Sequence, residues 1–121
     1  MNRIESPMAI ASVRWLTAQE GGRRSGPPTA PVYMATSVFV EGDEDEVQPG
    51  WPASADQLSI LLEPVKSDDV GRTRCVVGFL APDLARASLR QGAELRVLEG
   101  PRVVAHARVE RLLGPTGEAH A

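Results

Sequence analysis

Apolar and polar residues alternate with a period of two along several short stretches of the chain, as expected for half-buried β-strands. The first runs from about Met8 to Leu16, with Ala9, Ala11, Val13 and Trp15 on one face and Ser12 and Arg14 on the other. The second, Val32 to Val40, is rich in β-branched and aromatic residues, and its inward face is left open by the pattern. The third, Gln57 to Val65, turns Leu58, Ile60 and Leu62 inward and Ser59 and Glu63 outward. The fourth, Arg72 to Leu80, sets Thr73, Cys75, Val77 and Phe79 against Arg72 and Arg74. Glu94 to Glu99 forms the fifth. The sixth, Arg102 to Leu112, places Val103, Ala105, Ala107 and Val109 inward and His106, Arg108 and Glu110 outward.

Turn signals separate these stretches. Gly21 to Pro28 makes one long turn, and Pro49-Gly50-Trp51-Pro52, Gly100-Pro101 and Gly114-Pro115-Thr116-Gly117 make others. The one helix candidate is a short connector, Leu84 to Gln91, capped by Asp83 and ended by Gly92. Six short strands with one minor helix predict an all-β fold, a six-stranded antiparallel closed β-barrel or a sandwich. Closure suits a chain this small, which would otherwise leave apolar edges open to pairing. The expected domain is residues 8–113, between flexible tails at 1–7 and 114–121. Glu41 to Glu46 carries five acids in six residues and belongs in a solvated loop.

Composition narrows the class. At 121 residues and 42% hydrophobic, the chain can build one core. It has no apolar run long enough to span a membrane, and Met1 to Glu5 lacks the apolar stretch of a secretory signal, so a cytoplasmic location is expected. The net charge of −3 argues against a dedicated DNA or RNA binder, which draws its affinity from basic residues. Lys66 is the one lysine among thirteen basic residues, an arginine bias typical of GC-rich coding sequences.

The patterns that would carry catalysis are missing. No glycine-rich loop ends in Gly-Lys-Ser/Thr to cradle phosphates. His106 and His120 have no partner spaced for a metal, and Asp43 and Asp45 lack the glycine and closing glutamate of a calcium loop. Cys75, the lone cysteine, has no adjacent base and falls in the inward phase, as a small core residue. No serine sits in a Gly-x-Ser-x-Gly elbow. No catalytic residue, cofactor or metal is expected, and the chain reads as a non-enzyme.

Two stretches carry a resemblance. Ala11-Ser12-Val13-Arg14-Trp15-Leu16-Thr17-Ala18-Gln19-Glu20-Gly21-Gly22-Arg23-Arg24 resembles the opening of the C-terminal barrel (domain III) of elongation factor Tu, where an alternating strand enters a Glu-Glu-Gly-Gly-Arg turn. Gly92 to Val109 resembles the same domain's final hairpin. Leu80-Ala81-Pro82 stands where that family has an apolar-Ser-Pro step. The likeness covers about residues 8 to 113. It departs at Ala30 to Met34, at Pro49 to Pro52, and at Ala105 and Ala107, which replace glycines. The GTPase domain and second barrel are not in this chain, so the resemblance implies a free-standing relative.

In that family the barrel meets the T-arm of aminoacyl-tRNA as well as protein partners. Carried over, the resemblance places Gly22, Arg23, Arg24, Gly100 and Arg102 on an RNA- or partner-binding surface. Two functions follow as expectations. The first is a non-catalytic module that binds an unknown protein partner, which the acidic balance favours. The alternative is a tRNA-binding module using the Gly-Gly-Arg-Arg turn. An enzyme of unknown type ranks below both, and no membrane or DNA partner is expected.

Overall fold

A computed structural model describes residues 3–42, 50–52, 55–68 and 71–114. It contains strands β1 (Ala9–Trp15), β2 (Tyr33–Phe39), β3 (Leu58–Ser67) and β4 (Arg72–Phe79), a short helix α1 (Pro82–Arg86), and strands β5 (Glu94–Glu99) and β6 (Arg102–Leu112). The strands close into a barrel in the order β1-β4-β3-β2-β5-β6, each neighbour antiparallel and β6 returning to β1. Closure gives every strand among the described residues a neighbour on both sides. The closed, six-stranded antiparallel barrel with one short helical connector is the expected fold. Residues 43–46 of the acidic run and 115–121 of the expected C-terminal tail lie outside the described residues.

Size complementarity fills the interior. The small side chains Ala9, Ala11, Ala105 and Ala107 of β1 and β6 share the core with Ile60, Leu62, Leu95 and Val97 of β3 and β5. Aromatic pairs lie near the two ends. Trp15 and Tyr33 meet edge to face with centroids 5.4 Å apart, while Phe39 and Phe79 stack at 5.9 Å. The inward faces expected for β1, β3 and β4 are the faces found, and Tyr33, Ser37 and Phe39 supply the buried inner face of β2.

The structure corrects the sequence expectations in three places. In β6 the residue expected inside, Val103, is only partly buried, and Val104 takes the core position at 0% exposure. The cause is a bulge: Val97 pairs with Ala105 but Leu98 pairs with Val103, leaving Val104 as an extra residue that shifts the phase. A second irregularity near Glu110, between the pairs Ala11–Val109 and Ile10–Arg111, brings Leu112 back onto the inner face opposite Ala9. The helix spans Pro82–Arg86 rather than Leu84 to Gln91, and Asp83 is not its cap. Ala81 holds that position without a side-chain hydrogen bond, and the Asp83 carboxylate instead pairs with Arg86 inside the single helical turn. Finally, Ile4 lies in the segment expected to fray but is buried beside Gly78, and its backbone amide donates to Glu63 Oε1 at 2.9 Å.

Antiparallel register sorts the loops between the two barrel ends. One end gathers the 16–32 connection, the β3–β4 turn and the β5–β6 hairpin. The other carries α1 and the two chain termini of the barrel.

Candidate functional site

The Gly-Gly-Arg-Arg turn begins in a single helical turn with local causes. Thr17 and Glu20 form a reciprocal capping box: the Thr17 amide donates to Glu20 Oε1 at 2.9 Å, and the Glu20 amide donates to Thr17 Oγ1 at 3.2 Å. Gly21, with φ +92°, takes the left-handed position that ends such a turn. The Gly22 amide then reaches back to Thr17 O at 2.8 Å and that of Gly21 to Ala18 O at 3.1 Å, the paired bonds of a Schellman motif. Gly22 is buried against the strand it leaves, and a Cβ there would lie 2.2 Å from Leu16 O. Both glycines therefore have a structural reason to be glycine. Arg14 braces the turn from β1 by pairing with Glu20 at 3.1 Å, and together these contacts hold the Glu20 carboxyl below its ordinary range, the Thr17 backbone bond contributing most.

The chain then delivers Arg23 to Glu99, at the end of β5. Arg23 Nε donates to Glu99 Oε2 at 2.8 Å, Arg23 Nη1 donates to Gly26 O at 2.7 Å, and the guanidinium carbon lies 5.7 Å from the centre of the Tyr33 ring. The Tyr33 hydroxyl donates to the same Glu99 oxygen. Burial of the phenol, strengthened by the hydrogen bond and charge of Glu99, raises its pKa well above the ordinary tyrosine value. Tyr33 also supports the Trp15 ring, so the cluster is continuous with the core.

The five residues singled out by resemblance thus share one end of the barrel but differ in role. Arg24, Gly100 and Arg102 are exposed there, with Gly100 at φ +60° in the two-residue hairpin loop. Gly22 is buried, and the Arg23 side chain is only 24% exposed and neutralised by Glu99. Sequence reading missed Glu99 and Tyr33, because nothing local marks two residues 66 apart as partners.

A second surface appears only once the strands are ordered. On the outside of the wall formed by β4, β1 and β6, Ser12 stands between Arg74 and Arg108, and Arg14 stands between Arg72 and His106. Lys66 on β3 is the next neighbour of Arg74. The alternation had assigned all four arginines outward, and the pairing makes them one surface.

Cys75 is buried, and burial pushes its thiol up to about 12, far from a reactive thiolate. Among the described residues no three His, Cys, Asp or Glu side chains gather where they could hold a metal, and no helix is long and apolar enough to cross a membrane. No known protein-family model matches the chain, and no curated protein matches it.

Proposed function

We propose that this chain, a relative of the elongation factor Tu barrel, is a non-catalytic module that binds another protein in the cytoplasm. The observation that carries this reading is the commitment of Arg23 to Glu99. A phosphate site on the Gly-Gly-Arg-Arg turn would need that guanidinium free, and RNA would have to displace a carboxylate already bound to it. The turn is built to fix the long β1–β2 connection onto the barrel, which leaves the outer faces for recognition. Within this reading the module needs no cofactor and performs no reaction.

The test is capture from a lysate of the source cells on immobilised protein, with and without ribonuclease. A protein retained in stoichiometric amount after ribonuclease supports the reading. RNA as the retained partner, with no protein surviving the digestion, overturns it.

A tRNA-binding module is the second reading, favoured by the exposure of Arg24, Gly100 and Arg102 at one barrel end. With two or three phosphate contacts, tRNA affinity would fall with a log–log salt slope of about −2. It would be lost on replacing Arg24 and Arg102 by glutamate. Unsaturable tRNA titrations of the wild type at physiological salt would reject it.

A further inference from the structure

The outer wall of β4, β1 and β6 concentrates positive charge against its own stability. Arg14 is directly opposite Arg72, and Lys66 is directly opposite Arg74. Like charges facing across a strand pair are destabilising, so neither pairing is explained by the fold. Acidic neighbours answer only part of the charge. Arg14 is tied to Glu20, and Arg74 to Glu110 at 2.9 Å. Glu94 faces Arg108 across β5 and β6, but Arg72, Arg108 and Lys66 have no acidic group within ion-pair distance among the described residues.

The small side chain of Ser12 lets this wall sink in its middle. A cleft of about 230 Å³ lies on the β3–β4 side of Ser12, where Lys66, Arg72 and Arg74 outnumber the carboxylates of Asp68 and Glu110. A second, of about 460 Å³, lies on the β6 side against Arg108 and shares Ser12, Arg72 and Glu110 with the first. Through these shared residues the two form one trough reaching from β3 across β4 and β1 to β6. Arg72 Nη1 donates to Ser12 Oγ at 3.3 Å and stands at the join.

We propose that this trough binds an extended acidic segment of a partner protein, with Arg72 and Arg108 as its main carboxylate anchors and Lys66 as the third. The proposal rests on the protein-binding reading above and names the chemistry of the partner. Guanidinium groups hold carboxylates through paired hydrogen bonds, and an extended peptide presents successive side chains of one face every ~6.6 Å. Glu110 decides between polyanions. A nucleic acid strand would press an unbroken row of phosphates against that carboxylate, whereas a peptide can set a neutral or donor group there.

The probe is a fluorescent peptide of alternating glutamate and serine, titrated at low salt beside its lysine–serine counterpart and a single-stranded RNA. Saturable binding of the acidic peptide alone is expected. It should weaken about tenfold or more in the double variant Arg72→Glu, Arg108→Glu and in the milder Arg72→Gln, Arg108→Gln, while the charge-matched Arg24→Glu, Arg102→Glu at the barrel end weakens it far less. Absence of saturation, equal loss in all three variants, or tighter binding of the RNA overturns the proposal.

A ligand-free measurement bears on the same premise. Arg72→Glu converts the facing like pair with Arg14 into an opposite pair, so its melting temperature should rise while peptide affinity falls. No rise would remove the charge conflict on which the site is argued and overturn the proposal. Lysate capture separates this proposal from its parent. A partner retained equally by wild type and the Arg72→Glu, Arg108→Glu variant defeats the trough and leaves the protein-binding reading standing. Failure of the wild type to retain any protein defeats the parent reading itself.

Discussion

Arg23 Nε and Glu99 Oε2 meet at 2.8 Å across 76 residues of sequence, joining the β1–β2 connection to the last hairpin. Because the Tyr33 hydroxyl shares the same oxygen, one carboxylate fastens two segments to the end of the barrel.

The two adjacent arginines should therefore respond differently to charge reversal. Arg24→Glu changes an exposed side chain and is expected to alter stability by under about 0.5 kcal/mol. Arg23→Glu removes a charged hydrogen bond and sets a second carboxylate beside Glu99, at a cost of about 1–3 kcal/mol. Urea denaturation of both variants checks the contrast, and equal midpoints would show that the contact does not hold the loop.

Tyr33 is the one tyrosine in the chain, so phenolate absorbance reports it alone. Its raised pKa means the folded state keeps the phenol proton after the unfolded chain has begun to lose it. The associated stability is complete below the unfolded value of about 10 and drains away as pH climbs above it. A spectrophotometric titration of native protein should show no phenolate near pH 10. Glu99→Gln removes the negative charge and should move the midpoint down, although burial, the larger cause, will keep it above that of a free tyrosine.

Trp15 lies 8% exposed against Tyr33 at the end of the interior. Truncation to alanine removes the ring and leaves a cavity, with an expected loss of about 3–5 kcal/mol. That is a large share of the ~5–15 kcal/mol that holds a domain of this size together. A change in unfolding free energy below about 1 kcal/mol would contradict its packing role.

Gly22→Ala tests whether the turn is structural. The added methyl would sit 2.2 Å from Leu16 O, a backbone atom that cannot step aside without moving β1. Such overpacking costs about 1–3 kcal/mol, and calorimetry should show a lower melting temperature. If the glycine served only to expose the backbone to a ligand, the substitution would leave the melting temperature unchanged.

Much of this architecture was legible in the chain itself. Period-two alternation is a local consequence of pleating, and it located all six strands and the inner faces of β1, β3 and β4. It also sent Arg14, Arg72, Arg74 and Arg108 outward and Cys75 inward. Strand phase failed in β6, where Val104 rather than Val103 fills the core, because a bulge depends on the partner strand and not on the residues that form it. The Gly-Gly-Arg-Arg turn was recognisable as a turn. That Gly22 is buried and Arg23 held by Glu99 depends on contacts between distant segments. The arginine surface has the same origin. Alternation can say which way each side chain points, but only the order β4-β1-β6 makes Arg74, Ser12 and Arg108 neighbours. That order is decided by which pairing of strands closes the barrel and buries every inner face together, a condition on the whole chain that no single segment contains.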